Sequence, residues 1–317
     1  MKIVIAGGTG HLGQLLTTNF HARGDDVVVL SRNVEAHAVR WDGKTLGPWS
    51  RQIDGADVVV NLAGRSVDCR YDERRRAEIM SSRIDSTRVI GKAIALAARP
   101  PATWLQMSTA TIYSHRFDAA NDERTGIIGG EEADTPPSWR FSIDVARAWE
   151  KAIDDAPAPA TRKVKMRSAM VMALGPGGPF AALHRHVMLG CGRLGDGRQY
   201  MSWIHGRDFV RAVDWLIAHN EIDGAVNLAA PEPLPNDEFI SLLGKACGAR
   251  FGMPVRGWMV EAGAFLMRTE PELVLKSRRV VPTRLLESGF TFDYPQWPAA
   301  ANELCARLKA PAQGRVW

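Results

Sequence analysis

The sequence has little with which to build a metal or dithiol centre. Its 317 residues include four cysteines, Cys69, Cys191, Cys247 and Cys305. No two of them share a CxxC spacing, so neither a zinc ribbon nor a dithiol redox motif is encoded. His184 and His186 would diverge by about 200° on a helix and have no carboxylate or Cys at ligand spacing, so no metal is expected. Scattered thiols suit a reducing compartment. Long apolar runs are missing as well. The N-terminal run ending at Ala6 is too short for a signal peptide core, and nothing approaches the roughly 20 apolar residues of a membrane span. A soluble cytoplasmic protein with no membrane partner is expected. Charge of one sign is also lacking: 40 Lys+Arg stand against 35 Asp+Glu, a net +5 dispersed along the chain. The basic cluster of Arg70 and Arg74–Arg76 is interleaved with Asp72, Glu73 and Glu78, which reads as a solvated helix face rather than a nucleic-acid patch. The mild positive charge does fit an anionic ligand. With 45% hydrophobic and 24% charged residues, the chain is composed like a folded globular protein.

Strand and helix signals alternate from the start. Lys2–Ala6 reads as a strand buried on both faces, as in a parallel sheet. Leu12–Ala22 has helical spacing. Val27–Leu30 and Val58–Leu62 read as further buried strands. Ser81–Ala98 reads as a long amphipathic helix stopped by Pro100-Pro101. Trp104–Met107 and Val164–Met172 read as strands around a helix at Phe141–Ile153. This alternation predicts crossover units. Beyond Met172 the texture changes. A loop at Gly175–Pro179 and a glycine-rich ribbon at Gly190–Gly197 precede a helix at Asp208–Ala218 and a short strand at Val226–Leu228. Helices are then expected at Asn236–Cys247, Met259–Met267 and Pro298–Leu308. The fold class expected is α/β: a Rossmann-type doubly wound parallel sheet with a smaller, mostly helical C-terminal substrate lobe. Residues 1–171 with 203–230 would form the NADP-binding Rossmann domain, and 172–202 with 231–317 the substrate-binding lobe.

The first strand runs into Gly7-Gly8-Thr9-Gly10-His11-Leu12-Gly13, which opens the first helix. Glycine lets the backbone run beside a pyrophosphate and lets helix and strand pack closely. The helix N-terminus then offers unpaired N–H groups and a positive dipole end. The second strand ends in Leu30-Ser31-Arg32. An NAD-selective site usually has an acid there to hold the ribose 2′-hydroxyl. Here Ser31 and Arg32 stand where a 2′-phosphate would lie, and a guanidinium can grip such a phosphate through parallel charge-assisted bonds. The cofactor expected is NADP (NADPH).

These residues resemble the extended short-chain dehydrogenase/reductase superfamily. The resemblance rests on Gly7–Gly13, on Asn61-Leu62-Ala63-Gly64 and on Gln106–Tyr113. More narrowly the chain is similar to an atypical, NAD(P)-dependent epimerase/dehydratase-like branch known as epimerase family proteins. Ser81–Arg88, Trp149-Glu150, Gly195–His205, Val226–Pro231, Arg279–Pro282 and Gly289-Phe290 carry that likeness over nearly the whole chain. It implies substrate between two lobes. It also implies cofactor contacts from Asn61 to Gly64, from Glu78 and Arg83 on a helix, and from Val171 near the nicotinamide. Two features depart from the branch. Gly190–Gly192 is one residue shorter than usual, and Thr109, Thr111 and Ser114 occupy positions where small residues or Gly are common.

Active members of that superfamily carry a Tyr-xxx-Lys pair, in which lysine lowers the tyrosine's pKa for proton exchange with the substrate. Four residues after Tyr71, Tyr113, Tyr200 and Tyr294 come Arg75, Phe117, Ile204 and Pro298, so the pair is absent. The resemblance maps it to Phe141 and Val145. Tyr113 and Ser108, at the carboxyl end of a strand, are the remaining catalytic candidates. Arg193, Arg198, Trp203 and His205 fall in a segment that lines the substrate cleft in the enzymes it resembles. They are the candidate substrate-binding residues and suit a ligand with negative charge. The reading is an NADP-binding oxidoreductase of the atypical extended type, acting on a small or nucleotide-linked substrate. A non-catalytic NADP-binding or redox-sensing protein and a sugar-nucleotide epimerase are the alternatives.

Overall fold

A computed structural model describes residues 1–33, 38–132, 135–175, 177–249, 252–255 and 270–310. Seven parallel strands form the central sheet. They are β1 (Lys2–Ala6), β2 (Asp26–Ser31), β3 (Ala38–Arg40), β4 (Val58–Asn61), β5 (Thr103–Thr109), β6 (Arg162–Ser168) and, after a shorter strand pair, Gly224–Leu228. The order runs from Gly224–Leu228 through β6, β5, β4, β1 and β2 to β3. It is the doubly wound arrangement expected. Its cause is legible in β1. Ile3 and Ile5 pack into one core and Val4 and Ala6 into another, all four with no exposed surface. A strand buried on both faces needs helices on both sides. α1 (His11–Ala22) supplies Leu15, Leu16 and Phe20 to the first core, while α2 (Glu73–Leu96) supplies Val89, Ile90 and Ile94 to the second.

Several elements differ from the sequence reading. Helix α2 begins eight residues before the expected Ser81, at Glu73, with the Asp72 side chain accepting the Arg75 N–H at 2.8 Å. Its first turn is solvated and carries Arg74–Arg76, so hydrophobic periodicity could not reveal it. The expected strand Val164–Met172 is split. β6 ends at Ser168, and β7 (Met170–Met172) leaves the sheet to pair with β10 (Trp203–His205). The 38–40 edge strand was missed, having only three residues.

α3 (Arg140–Asp154) crosses between β5 and β6. α4 (Pro179–Met188), β8 (Cys191–Leu194), β9 (Tyr200–Met201) and β10 lead into α5 (Gly206–Ala218), after which Gly224–Leu228 returns as β11. The remainder is mostly helical: β12 (Leu234–Pro235), α6 (Asn236–Cys247), β13 (Met253–Val255), α7 (Glu272–Leu275), α8 (Thr283–Glu287) and α9 (Trp297–Lys309). The expected helix Met259–Met267 lies outside the described residues. A separate core binds this part together, in which Trp297 stacks on Phe239 (4.0 Å between ring centres) and meets Trp203 edge-on (5.0 Å). Cys247 of α6 and Cys305 of α9 form a disulfide. That corrects the picture of four isolated thiols: residues 58 apart in sequence are brought together by helix packing. Among the described residues, no helix is long and apolar enough to cross a membrane, and no His/Cys/Asp/Glu group could hold a metal.

Candidate functional site

The glycine turn is built around missing side chains. Gly7 has a positive φ of 78°, and a methyl there would lie 3.1 Å from both the Leu62 carbonyl carbon and the Ala63 nitrogen. A methyl on Gly13 would lie 2.5 Å from the Gly7 carbonyl oxygen and from Gly8 Cα. The α1 N-terminus therefore presses directly on the turn. That N-terminus has no side-chain cap and no acid in its first turn. Its N–H groups and dipole end are left for an anion. The residues present thus fit a dinucleotide pyrophosphate.

Neighbouring segments complete this edge. The buried Asn61 donates to Gln106 Oε1 (3.0 Å) and Thr87 Oγ1 (3.4 Å) and accepts the Ala63 N–H (3.0 Å), which fixes the turn through Leu62 to Gly64 beside Gly7. Thr9 Oγ1 and Ser31 Oγ hydrogen-bond across from the glycine turn to the end of β2 (3.2 Å). Arg32 follows, exposed and with no ion pair among the described residues. Arg83 reaches from α2 under Gly64. It donates to the carbonyls of Arg65 (3.0 Å) and Ile79 (3.1 Å) and lies over the Trp149 ring, and burial lowers its pKa to about 10. Glu78, by contrast, faces outward and pairs with Arg65 and Arg74. Val171 is a core residue of β7. His11 packs its ring against Gly175 and Gly178, and its Nε2 is buried with no hydrogen-bond partner among the described residues. Only glycines leave room for it there.

At the other end of the sheet edge the expected catalytic candidates turn inward. Tyr113 is 2% exposed, and its hydroxyl donates to Asn227 Oδ1 (3.0 Å) while accepting from Arg167 Nη1 (2.9 Å). Burial, which disfavours the phenolate, raises its pKa. Ser108 donates to Glu150 Oε1 (2.7 Å). Glu150 in turn holds Arg167 through two bonds of 2.8 Å. The Asn227 N–H donates to Glu123 Oε1 (2.8 Å). This is one continuous buried network, and the protons of Tyr113 and Ser108 are committed within it. In this structure both hydroxyls that the sequence offered as catalytic candidates have protein partners. Sequence reading missed the partners, Glu150, Arg167, Asn227 and Glu123. The available signal was the charge of Glu150 on the otherwise apolar face of α3; Arg167 lies in a strand with three other basic residues and gave none.

The four expected substrate residues are not brought together. Trp203 is fully buried in the C-terminal core and donates its indole N–H to the Glu232 carbonyl (3.2 Å). His205 is 2% exposed. Its Nδ1 accepts the Arg207 N–H (3.1 Å) to cap α5, and its Nε2 meets Glu303 (3.0 Å). Both are buried and hydrogen-bonded within the protein rather than exposed to a cleft. Arg198 is exposed, paired with Asp196 (3.0 Å), and lies over the Phe117 ring. Arg193 lies elsewhere, lining a hollow of about 400 Å³ with Asp237, Ser241 and Lys245 between β8 and α6.

The family follows from comparison with known proteins. Residues 3–146 match the NAD dependent epimerase/dehydratase family, and residues 257–304 match a domain of unknown function, DUF1731. Epimerase family protein SDR39U1 of Homo sapiens is 30% identical over 96% of this chain and 100% of its own length. This chain belongs to that epimerase family. Epimerase family protein YfhF of Bacillus subtilis is 28% identical over 98% of the chain and 99% of its own. A crystal structure of the human protein, isoform 2 with NADPH, superposes with a TM-score of 0.85 at 29% identity, covering 96% of this chain and 99% of that one. A nucleoside-diphosphate sugar epimerase of Corynebacterium glutamicum superposes at 0.76 with 26% identity, over 96% of this chain and 58% of that one. The chain is thus an NAD(P)-binding, oxidoreductase- or epimerase-like member of an atypical short-chain dehydrogenase branch.

Proposed function

We propose that this protein binds NADPH along the Gly7–Gly13 turn and uses it to reduce a small carbonyl compound that carries negative charge. The observation that carries the reading is the pairing of a glycine turn and an uncapped helix N-terminus with an exposed Arg32 after β2 that has no ion pair among the described residues. The human relative, solved with NADPH, supports it. Asn61, Leu62, Ala63 and Gly64 would flank the adenosine and pyrophosphate, Arg83 would back Gly64, and Ser31 and Arg32 would take the 2′-phosphate. Val171 and the Gly175 loop would border the nicotinamide. Substrate would enter between the sheet edge and the C-terminal helices, where Arg198 is an exposed cation.

Fluorescence titration tests the cofactor assignment. A charge-assisted phosphate–Arg bond contributes about 1.5–3 kcal/mol, or one to two decades of affinity. NADPH should bind that much more tightly than NADH, and Arg32→Ala should erase the difference. Equal affinities in the parent protein would sink the assignment. A second reading, an NADP-binding protein without turnover, is favoured by one observation: Tyr113 and Ser108 both spend their protons inside the network. Under that reading NADPH binds but no carbonyl oxidises it.

A further inference from the structure

The positions expected to hold the Tyr-xxx-Lys pair carry Phe141 and Val145, which pack with Tyr71 in an apolar cluster. Titratable groups nevertheless gather beside them. Ser142, next along α3, donates to Glu272 Oε2 at 2.6 Å. Glu272 is 2% exposed, and its Oε1 accepts no hydrogen bond among the described residues. That oxygen faces Lys276 Nζ at 4.0 Å. Lys276, also 2% exposed, donates to the Thr111 carbonyl at 2.9 Å. Thr111 belongs to the turn that follows β5, and both it and Ser142 are half-buried. Arg278 donates to Thr111 Oγ1 at 3.0 Å and to the Leu273 and Glu272 carbonyls, which pins the segment to the sheet edge. Ligands of open α/β sheets sit at this carboxyl edge.

The ammonium of Lys276 has three protons and, among the described residues, one hydrogen-bond acceptor, the Thr111 carbonyl. Lys276 is buried, and a carbonyl oxygen gaining negative charge beside a buried ammonium would be strongly stabilised. The charged groups facing it are Arg278 on its own segment, Glu272 one turn back on α7, and Glu132 from the loop before α3; His115, after β5, is also close enough to feel the lysine. Burial first, then Arg278, lowers the lysine to about 8, against the opposing pull of Glu272 and Glu132. Such a group is protonated at neutral pH and gives the proton up readily.

We infer that Lys276 delivers the proton to the substrate oxygen in place of the absent Tyr-xxx-Lys pair, with Glu272 and Ser142 as its positioning residues. The inference rests on the reductase reading given above. Bound nicotinamide supplies a hydride, and with it two electrons, to the carbonyl carbon. The carbonyl oxygen then requires one proton. Lys276 Nζ gives up one N–H proton to it, is left as the neutral amine, and is reprotonated from solvent. A carbonyl becomes an alcohol with no further oxidant or reductant.

Two measurements test it. The first needs no turnover: ¹³C-lysine NMR of the full chain, with the Lys276 signal assigned by its loss in Lys276→Met. A midpoint near pH 8 is expected, moving to lower pH in Glu272→Gln, because the carboxylate holds the proton on. The second follows NADPH oxidation with 9,10-phenanthrenequinone as a probe acceptor between pH 6 and 10. The rate should fall above the NMR midpoint, and Glu272→Gln should move that break in the same direction. Lys276→Met should lower kcat by about 10²–10⁴-fold with NADPH affinity unchanged. Lys276→Arg, which keeps the charge, should remove the break and control for folding. A midpoint above 10, a Lys276→Met rate within threefold of the parent, or a break that survives in Lys276→Arg overturns the inference. A parent protein that binds NADPH by fluorescence but never turns over the quinone also overturns it and leaves the cofactor reading standing. Absence of NADPH binding overturns that reading instead.

Discussion

The two ends of the sheet's carboxyl edge are built in opposite ways. Between β1, β2 and β4 the site is made of backbone, with glycines removing side chains, an uncapped helix end and an exposed arginine. Between β5, β6 and β11 it is made of buried side chains that satisfy one another: Ser108, Glu150, Arg167, Tyr113 and Asn227. The first region is open and prepared for something absent from the chain itself. The second is closed, and its polar groups act on each other. A polar residue at a sheet edge is therefore not evidence of a catalytic group until its partners are known.

The sharpest way to break this contrast is at Arg167. Removing one partner from a buried, doubly bonded ion pair leaves the other charge stranded, at a cost of about 3–5 kcal/mol. Arg167→Met should lower stability by that amount in urea unfolding while leaving NADPH affinity within twofold of the parent. A tenfold loss of affinity would show that the two regions are coupled. The reverse substitution is Gly13→Ala. Its methyl would meet backbone at 2.5 Å, so the turn and α1 must separate at a cost on the order of 1–3 kcal/mol. NADPH binding should be lost in titration although the chain stays folded, and retained binding would mean the cradle is not the cofactor site.

The smallest effect concerns pH. The His115 Nδ1 accepts the Ser277 N–H (2.8 Å), which ties the 270–281 segment to the turn after β5. Burial first, then the Lys276 charge, holds this histidine below its ordinary value of 6.5. As pH falls through 6.5 the unfolded chain takes the proton before the folded one does, so stability present above that pH is lost below it. The drop in Tm between pH 7 and pH 5 should be smaller in His115→Asn than in the parent. Equal drops would show that the histidine does not contribute.

Much of the cofactor half was legible in the sequence because its signals are local. Gly7 to Gly13, the strand before them and the helix after them are contiguous, and Arg32 can be seen to stand in place of the usual acid without any tertiary information. The half built from polar side chains was not legible, because its meaning lies in pairs far apart in sequence. Tyr113 meets Asn227 across 114 positions, Ser142 meets Glu272 across 130, and Lys276 meets Thr111 across 165. Trp203 and His205 looked available because a sequence cannot say which side of a strand faces Trp297 or Glu303.

The sequence by itself determined the alternation of buried strands and helices, and hence the parallel sheet. A strand apolar on both faces has no stable partner except helices on both sides. It also determined the side-chain-free turn, since only glycine tolerates those contacts. Tertiary structure decided which polar groups are spent and which are free. Burial makes an unpaired polar atom costly, so the fold had to supply partners for Tyr113, Ser108 and His205, and among the described residues it gave the Lys276 ammonium the Thr111 carbonyl.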